Sequence, residues 1–346
     1  MRTDLLRNPR DTIVVANVMR TFALLAAMTA LFILVGLVVG GRAGMMFALV
    51  FAVGANLFAW YRSDTLALSA VNAHPVDASS APDLVADVAT LAARAGLPMP
   101  RVYVVASPQP NAFAAGRDPA HAAIAVNEGL LRLLSREERF GVLAHEIAHI
   151  RNRDTLLMTL TATLAGAVST LSQWSLFTGG RRNGPLGWAG ALLLSILAPL
   201  GASIVQMAIS RAREYEADRL GAALCGNPLW LAAALERLHS AAEHSPDPVV
   251  ERHPAMAPMF IVRPLAAGLR DNLFSTHPDI ANRIAALVEM ARVAGLAPSN
   301  TLATNAPGER RARWRPFGEG ARKDVSPSFL QGRGIFVEPA GRGPWG

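Results

Sequence analysis

The sequence holds one cysteine, Cys225, in 346 residues, so no disulfide can form within the chain. Lysine is almost missing as well: of 33 basic residues, all but Lys323 are arginine. Charge of either sign is scarce, at 17% of residues against about 25% in an ordinary soluble domain. These shortages exclude a disulfide-stapled scaffold, a collagen and an acidic disordered chain. A net charge of +7 raises the question of nucleic acid, but the arginines form no stripe with interleaved aromatics, and an arginine bias of this kind reads as the codon usage of a GC-rich genome. No nucleic-acid partner is expected. What the chain does have is apolar surface, with 51% hydrophobic residues and a mean hydropathy of +0.28.

That apolar content is concentrated. Residues 21–39 and 43–61 are uncharged runs of 19 residues each, separated by Gly40, Gly41 and Arg42. Each is close to the roughly 20 residues that cross a bilayer core as a helix. A cleaved signal peptide is the competing reading of the first run. The run is long for such a segment, follows a charged leader, and is followed at once by a second span. Residues 1–61 are therefore predicted to be a leader and a transmembrane hairpin. Two further uncharged stretches, 155–178 and 187–210, are long enough to span. The first of them carries nine hydroxyl residues and also reads as a buried helix of a soluble domain.

Residues 62–154 and 211–304 read as two parts of one catalytic domain, α+β and mainly helical. Ser80 ahead of Ala81-Pro82-Asp83 signals a helix start. Leu84, Val88, Leu91 and Ala92 then recur at helical spacing up to Gly96 and Pro98. Residues 101–106 and 122–126 read as strands, and 136–151 as a helix. From residue 305 to 346 the chain is rich in proline, glycine and arginine and is expected to be a disordered tail.

The 136–151 helix contains His145-Glu146-Ile147-Ala148-His149. Residues four apart share one helix face, so the two imidazoles can grip one ion. Glu146, about 100° further round, can reach a water at an open coordination position. Zinc is the expected ion, one per chain. It would acidify that water and polarise a scissile carbonyl while Glu146 takes the proton, so no covalent acyl-enzyme is needed. Other divalent ions also suit a His₂Glu set. The alternative is a pair of surface histidines beside an idle glutamate. Val142, Leu143, Ile147 and Ile150 argue against it, because they make the flanks apolar.

A hydrolytic zinc commonly has three protein ligands, and no third histidine follows closely. The candidate is Glu214 in the run Arg211-Ala-Arg-Glu214-Tyr-Glu216-Ala-Asp218. Asp218 lies one turn on from Glu214 and could orient a ligand histidine. Glu216 points elsewhere. Taken alone, this run also fits a solvated helix laced with Arg–Glu pairs. To serve the ion, Glu214 must return to the side that holds His145, so the stretch between them crosses an even number of times or not at all.

With these motifs in place, the sequence resembles the HtpX-type membrane zinc peptidases, relatives of the CAAX prenyl peptidase. The likeness runs through the N-terminal hairpin, AHEIAHIRNRD (144–154), the second apolar hairpin, SRAREYEAD (210–218) and FSTHP (274–278). It implies a gluzincin fold with His145, His149 and Glu214 as zinc ligands, Glu146 as general base and Asp218 behind a ligand. It also implies that Asn111 helps hold substrate backbone, and that His277 and Arg283 stabilise the oxyanion or grip the substrate. Its bacterial members act on inner-membrane proteins in quality control. The long tail beyond residue 305 departs from the family. Four leader arginines (Arg2, Arg7, Arg10, Arg20) against Arg42 put the leader and the site in the cytoplasm by the positive-inside rule, although Arg181 and Arg182 pull the other way. A silent metal-bearing scaffold and a transporter are the competing classes. The first would close the ion with four protein ligands. The second needs polar groups inside the spans, where Asn56, Gln173 and Gln206 stand besides hydroxyls.

Overall fold

A computed structural model of the chain describes residues 9–160, 211–244, 261 and 280–296. Most of the second apolar hairpin, His277 and the tail lie outside the described residues. The first element, α1 (Pro9–Tyr61), is helical on both sides of a break at Gly40 and Gly41. Gly41 has φ +58 and ψ −145, a conformation closed to residues with a Cβ, and this is where the expected turn falls. Two parts of α1, Val14–Leu34 and Gly40–Tyr61, are long and apolar enough to cross a membrane. They pack on each other through Phe32 and Phe51, and Asn56 Nδ2 donates to Thr29 Oγ1 at 2.8 Å. An amide inside an apolar pair is thus satisfied between helices rather than left bare. Most of the outer face is exposed, with Phe22, Phe47, Val50, Phe51, Leu57 and Phe58 all more than half accessible. A water-soluble surface rarely tolerates so contiguous an apolar face.

After the short α2 (Ser63–Ala70) come β1 (His74–Val76), α3 (Pro82–Ala95), β2 (Arg101–Val105), β3 (Ala112–Ala115), β4 (Ala123–Asn127) and α4 (Glu128–Leu133). The strands form one sheet in the order β1-β2-β4-β3, with β2 and β4 parallel and both outer pairs antiparallel. The sheet's alternate residues divide between two buried faces. Val105, Ala123, Ala125, Phe113 and Ala115 pack with Ala67 and Leu68 of α2. Val102, Val104, Ile124 and Val126 are buried on the other face. Coverage on both faces explains why β4 reads as a continuous apolar run. Two strands escaped the sequence reading. β1 is three residues long, and β3 is Ala-Phe-Ala-Ala, without β-branched residues.

The α3 helix begins at Pro82, as expected near there, but its cap is Ala81. Ser80 instead turns its hydroxyl back to Asp77. Gly96 closes the helix in the left-handed conformation. The next helix, α5 (Arg136–Arg151), carries the metal motif. Ser135 and Glu138 make a reciprocal capping box at its start, a device worth about 1 kcal/mol. Arg136 and Arg139 at that end both bind the buried Asp87 of α3, at 2.9 and 3.0 Å. From Gly141 to Ile150 the helix is buried all round. It is the central rod of the domain, packed by α6 (Arg211–Cys225) and α7 (Pro228–His244), with α8 (Ile280–Val293) against those two. Cys225 is buried and hydrogen-bonds backbone carbonyls, as a small packing residue.

Candidate metal centre

The site forms where α5 and α6 cross. Gly221 of α6 lies so close to α5 that a Cβ there would stand 2.9 Å from the His145 backbone nitrogen. This approach lets Glu214, two turns earlier on α6, reach the two imidazoles. His145 Nε2 and His149 Nε2 are 3.1 Å apart, and Glu214 stands 3.6 and 3.7 Å from them. Two donors about 2.0–2.1 Å from a tetrahedral ion are separated by about 3.3 Å, so this trio has the right spacing for one. All three side chains are buried. The opposite ring nitrogens face carboxylates: His149 Nδ1 is 3.0 Å from Asp154 Oδ2, and His145 Nδ1 is 3.0 Å from Asp218 Oδ1. Carboxylates there keep the proton on Nδ1 and leave both Nε2 lone pairs free for a cation. The two contacts are not equivalent. The Asp154 contact is an aligned hydrogen bond. Asp218 is within ion-pair range of His145 but off its N–H direction. The residues fit a zinc ion.

Asp218 is held chiefly by Arg283, which donates Nε and Nη2 to its two oxygens at 2.7 Å each. Nη1 lies 3.4 Å from Glu214 and 3.4 Å from the Ile261 carbonyl. Arg283 is 1% exposed, the largest fully buried side chain described. Burial alone would raise the Asp218 carboxyl, yet Arg283 holds it well below the usual carboxylate range. Arg283→Met would strand Asp218 and Glu214 as buried charges without their cation. We expect a loss of about 3–5 kcal/mol, read as a fall in Tm of roughly 2–4 °C per kcal/mol.

Glu146 is fully buried, and burial lifts its carboxyl to about 7. The charge of Glu214 adds to this; His149, the Ala114 N–H and Arg283 oppose it. Burial disfavours the charged form of His149, but the Asp154 hydrogen bond and the Glu214 carboxylate outweigh it and raise the imidazole to about 9. Burial pushes His145 down. A bound cation would favour the neutral imidazoles and the ionised Glu146.

Asn111 sits at the start of β3, the edge strand, and is 2% exposed. Its Oδ1 accepts the Ile261 N–H at 3.2 Å, while its Nδ2 has no hydrogen-bond partner among the described residues. So the structure brings together His145, His149, Glu214, Glu146, Asp218 and Arg283, and sets Asn111 beside Ile261, whose carbonyl faces Arg283. His277 lies outside the described residues. The sequence reading missed Asp154, although an aspartate five residues after the second histidine was a usable signal. It also missed Asn17 of α1, whose Nδ2 meets Asp154 Oδ1 at 2.5 Å. Nothing in the pattern of α1 marked that residue.

Helix-borne histidines, a carboxylate from a second helix and a buried glutamate beside them define the zincin class of metallopeptidases. The sequence profile of peptidase family M48 matches residues 78–291. The chain belongs to that family. Among solved structures it is similar to the crystal structure of S. mikatae Ste24p, at 19% identity and a TM-score of 0.43, covering 80% of this chain and 66% of that one. The chain thus spans just under two thirds of that relative's length.

Proposed function

We propose that the protein is a membrane-bound endopeptidase that hydrolyses peptide bonds of membrane proteins in quality control at a bacterial cytoplasmic membrane, with its site on the cytoplasmic side. The observation that carries the hydrolytic reading is the convergence of His145 Nε2, His149 Nε2 and Glu214 beside the buried Glu146. Zinc bound by those three would supply Lewis acidity to the scissile carbonyl and to water. Glu146 accepts the proton of the attacking water and passes it to the departing amine. A carboxyl lifted toward neutrality suits both halves of that transfer. Asn111 Nδ2, a buried donor without a partner among the described residues, is suited to a substrate carbonyl. An extended substrate can lie along β3, the strand at the sheet's edge. His277, from the family likeness, would add a further donor to the developing oxyanion.

The membrane reading rests on the exposed apolar face of α1 and on Trp60 and Tyr61 at its end, where Arg117 packs on both rings. The leader arginines set the orientation. The substrate class rests on proximity. Leu24, Met28 and Ala59 of the hairpin cluster with Leu157 and Leu160, which follow the metal helix within three turns. The full chain in liposomes, offered one peptide free and the same peptide fused to a transmembrane anchor, should cleave the anchored form faster and lose cleavage to a zinc chelator. Equal rates on the two would remove the substrate class, and chelator-resistant cleavage would remove the hydrolytic mechanism.

A further inference from the structure

We propose that the apolar N-terminal hairpin positions a metal ligand, through a buried relay that runs from Asn17 to Asp154 to His149. The inference rests on the metal-site reading and goes beyond it, since it gives α1 a part in zinc binding besides anchorage.

The geometry is specific. Asp154 uses its two oxygens for different partners: Oδ2 for His149 Nδ1 at 3.0 Å, and Oδ1 for Asn17 Nδ2 at 2.5 Å. The same Asn17 amide nitrogen donates to the Asn152 carbonyl at 3.2 Å. Asn17, Asp154 and His149 are 1%, 1% and 3% exposed, so water does not substitute for these bonds. The amide is itself held, with Arg20 donating to its Oδ1 at 3.4 Å. Thr21 Oγ1 donates to the Asn17 carbonyl at 2.9 Å. Among the described residues, Arg213 Nε stands 4.0 Å from Asp154 Oδ1, which is beyond hydrogen-bond range. Asn17 is therefore the close donor that orients that oxygen.

The backbone between the two helices serves this contact. The metal helix stops at Arg151, Arg153 takes φ +57, and helix resumes at 154. A left-handed arginine is an uncommon conformation for a residue with a side chain. It turns the chain so that Asp154 faces back to His149 instead of continuing along the helix surface. Leu157 and Leu160 of the resumed helix then pack on Leu24 and Met28, about two and three turns further along the hairpin from Asn17. The apolar cluster lies beside the polar relay and shares no residue with it.

A carboxylate on the far nitrogen of a ligand histidine fixes the ring and its tautomer, and losing such a partner typically costs 10- to 100-fold in metal affinity. Asn17 acts one bond further out and is a positioning residue. The test measures zinc dissociation constants by chelator competition on the full chain in detergent micelles. Asn17→Leu should weaken zinc about 10-fold, and Asp154→Asn by up to about 100-fold. In the double variant Asn17→Leu should add almost nothing, because its effect passes through Asp154. Leu24→Ala loosens the neighbouring apolar cluster without touching the relay and should leave zinc affinity unchanged. Should Asn17→Leu fail to fold, as judged by gel filtration, Asn17→Ala carries the same expectation. Zinc affinity within twofold of the parent in the Asn17 variant would overturn the relay. So would losses that add in the double variant, or an equal loss in Leu24→Ala. A parent protein that binds no zinc would instead remove the metal-site reading itself.

Discussion

Glu146→Gln lowers peptide turnover by about 100- to 10,000-fold while leaving the zinc content unchanged. Glutamine keeps the size and one oxygen of the side chain but cannot accept a proton from water. Glu146 is not one of the three residues, His145, His149 and Glu214, that could hold the ion. The uncharged side chain also suits the site sterically and electrostatically, because Glu146 is fully buried and burial already pushes its carboxyl toward the neutral form. Folding is thus expected to survive, and the variant separates chemistry from assembly. Turnover equal to the parent's, in protein of equal zinc content, would take Glu146 out of the mechanism. A parallel loss of zinc would mean that the carboxylate is a ligand and not a base.

Glu214→Ala removes the candidate third ligand, and the loss of zinc affinity should exceed the 10- to 100-fold typical of outer partners. The neighbouring carboxylates cannot take its place. Glu216 is turned outward to Arg219, with contacts at 3.0 and 2.6 Å. Asp218 is clamped by both forks of Arg283. Elemental analysis after dialysis against a weak chelator should find the parent loaded and the variant empty. Stoichiometric metal in the variant would reassign the third position. Glu214 also faces Arg283 Nη1 at 3.4 Å, so this variant removes one of the carboxylates around that guanidinium while Asp218 stays hydrogen-bonded to it. A moderate fall in Tm is expected with the metal loss, smaller than for Arg283→Met, where the cation that binds Asp218 and faces Glu214 disappears.

The Arg283 geometry changes how the site holds together. The family likeness implies a residue that meets the oxyanion or the substrate. In the structure its Nε and Nη2 are engaged by Asp218, and only Nη1 is directed toward Glu214 and the Ile261 carbonyl. One arginine from α8 therefore neutralises two carboxylates from α6. That balance explains how four acidic side chains, Glu146, Asp154, Glu214 and Asp218, can be buried around two imidazoles. Without it, carboxylates so close together would raise one another's proton affinity and compete with the metal.

Short-range regularities were readable along the chain. His145, Glu146 and His149 share a helical repeat, Glu214 and Asp218 share another, and the apolar runs of α1 break at a glycine pair, because each pattern repeats over one or two turns of local backbone. The strands β2 and β4 announced themselves by buried β-branched runs, while β3 did not, since its alanines owe their strand conformation to pairing with β4. What no periodicity could supply was the meeting of distant parts. The crossing at Gly221 brings Glu214 to His145, Arg283 closes on Asp218 from 65 residues away, and Asn17 reaches Asp154 across 137 residues. Those contacts depend on how helices pack in space, and the energy that selects them, burial of charge beside its counter-charge, exists only once the chain has folded around it.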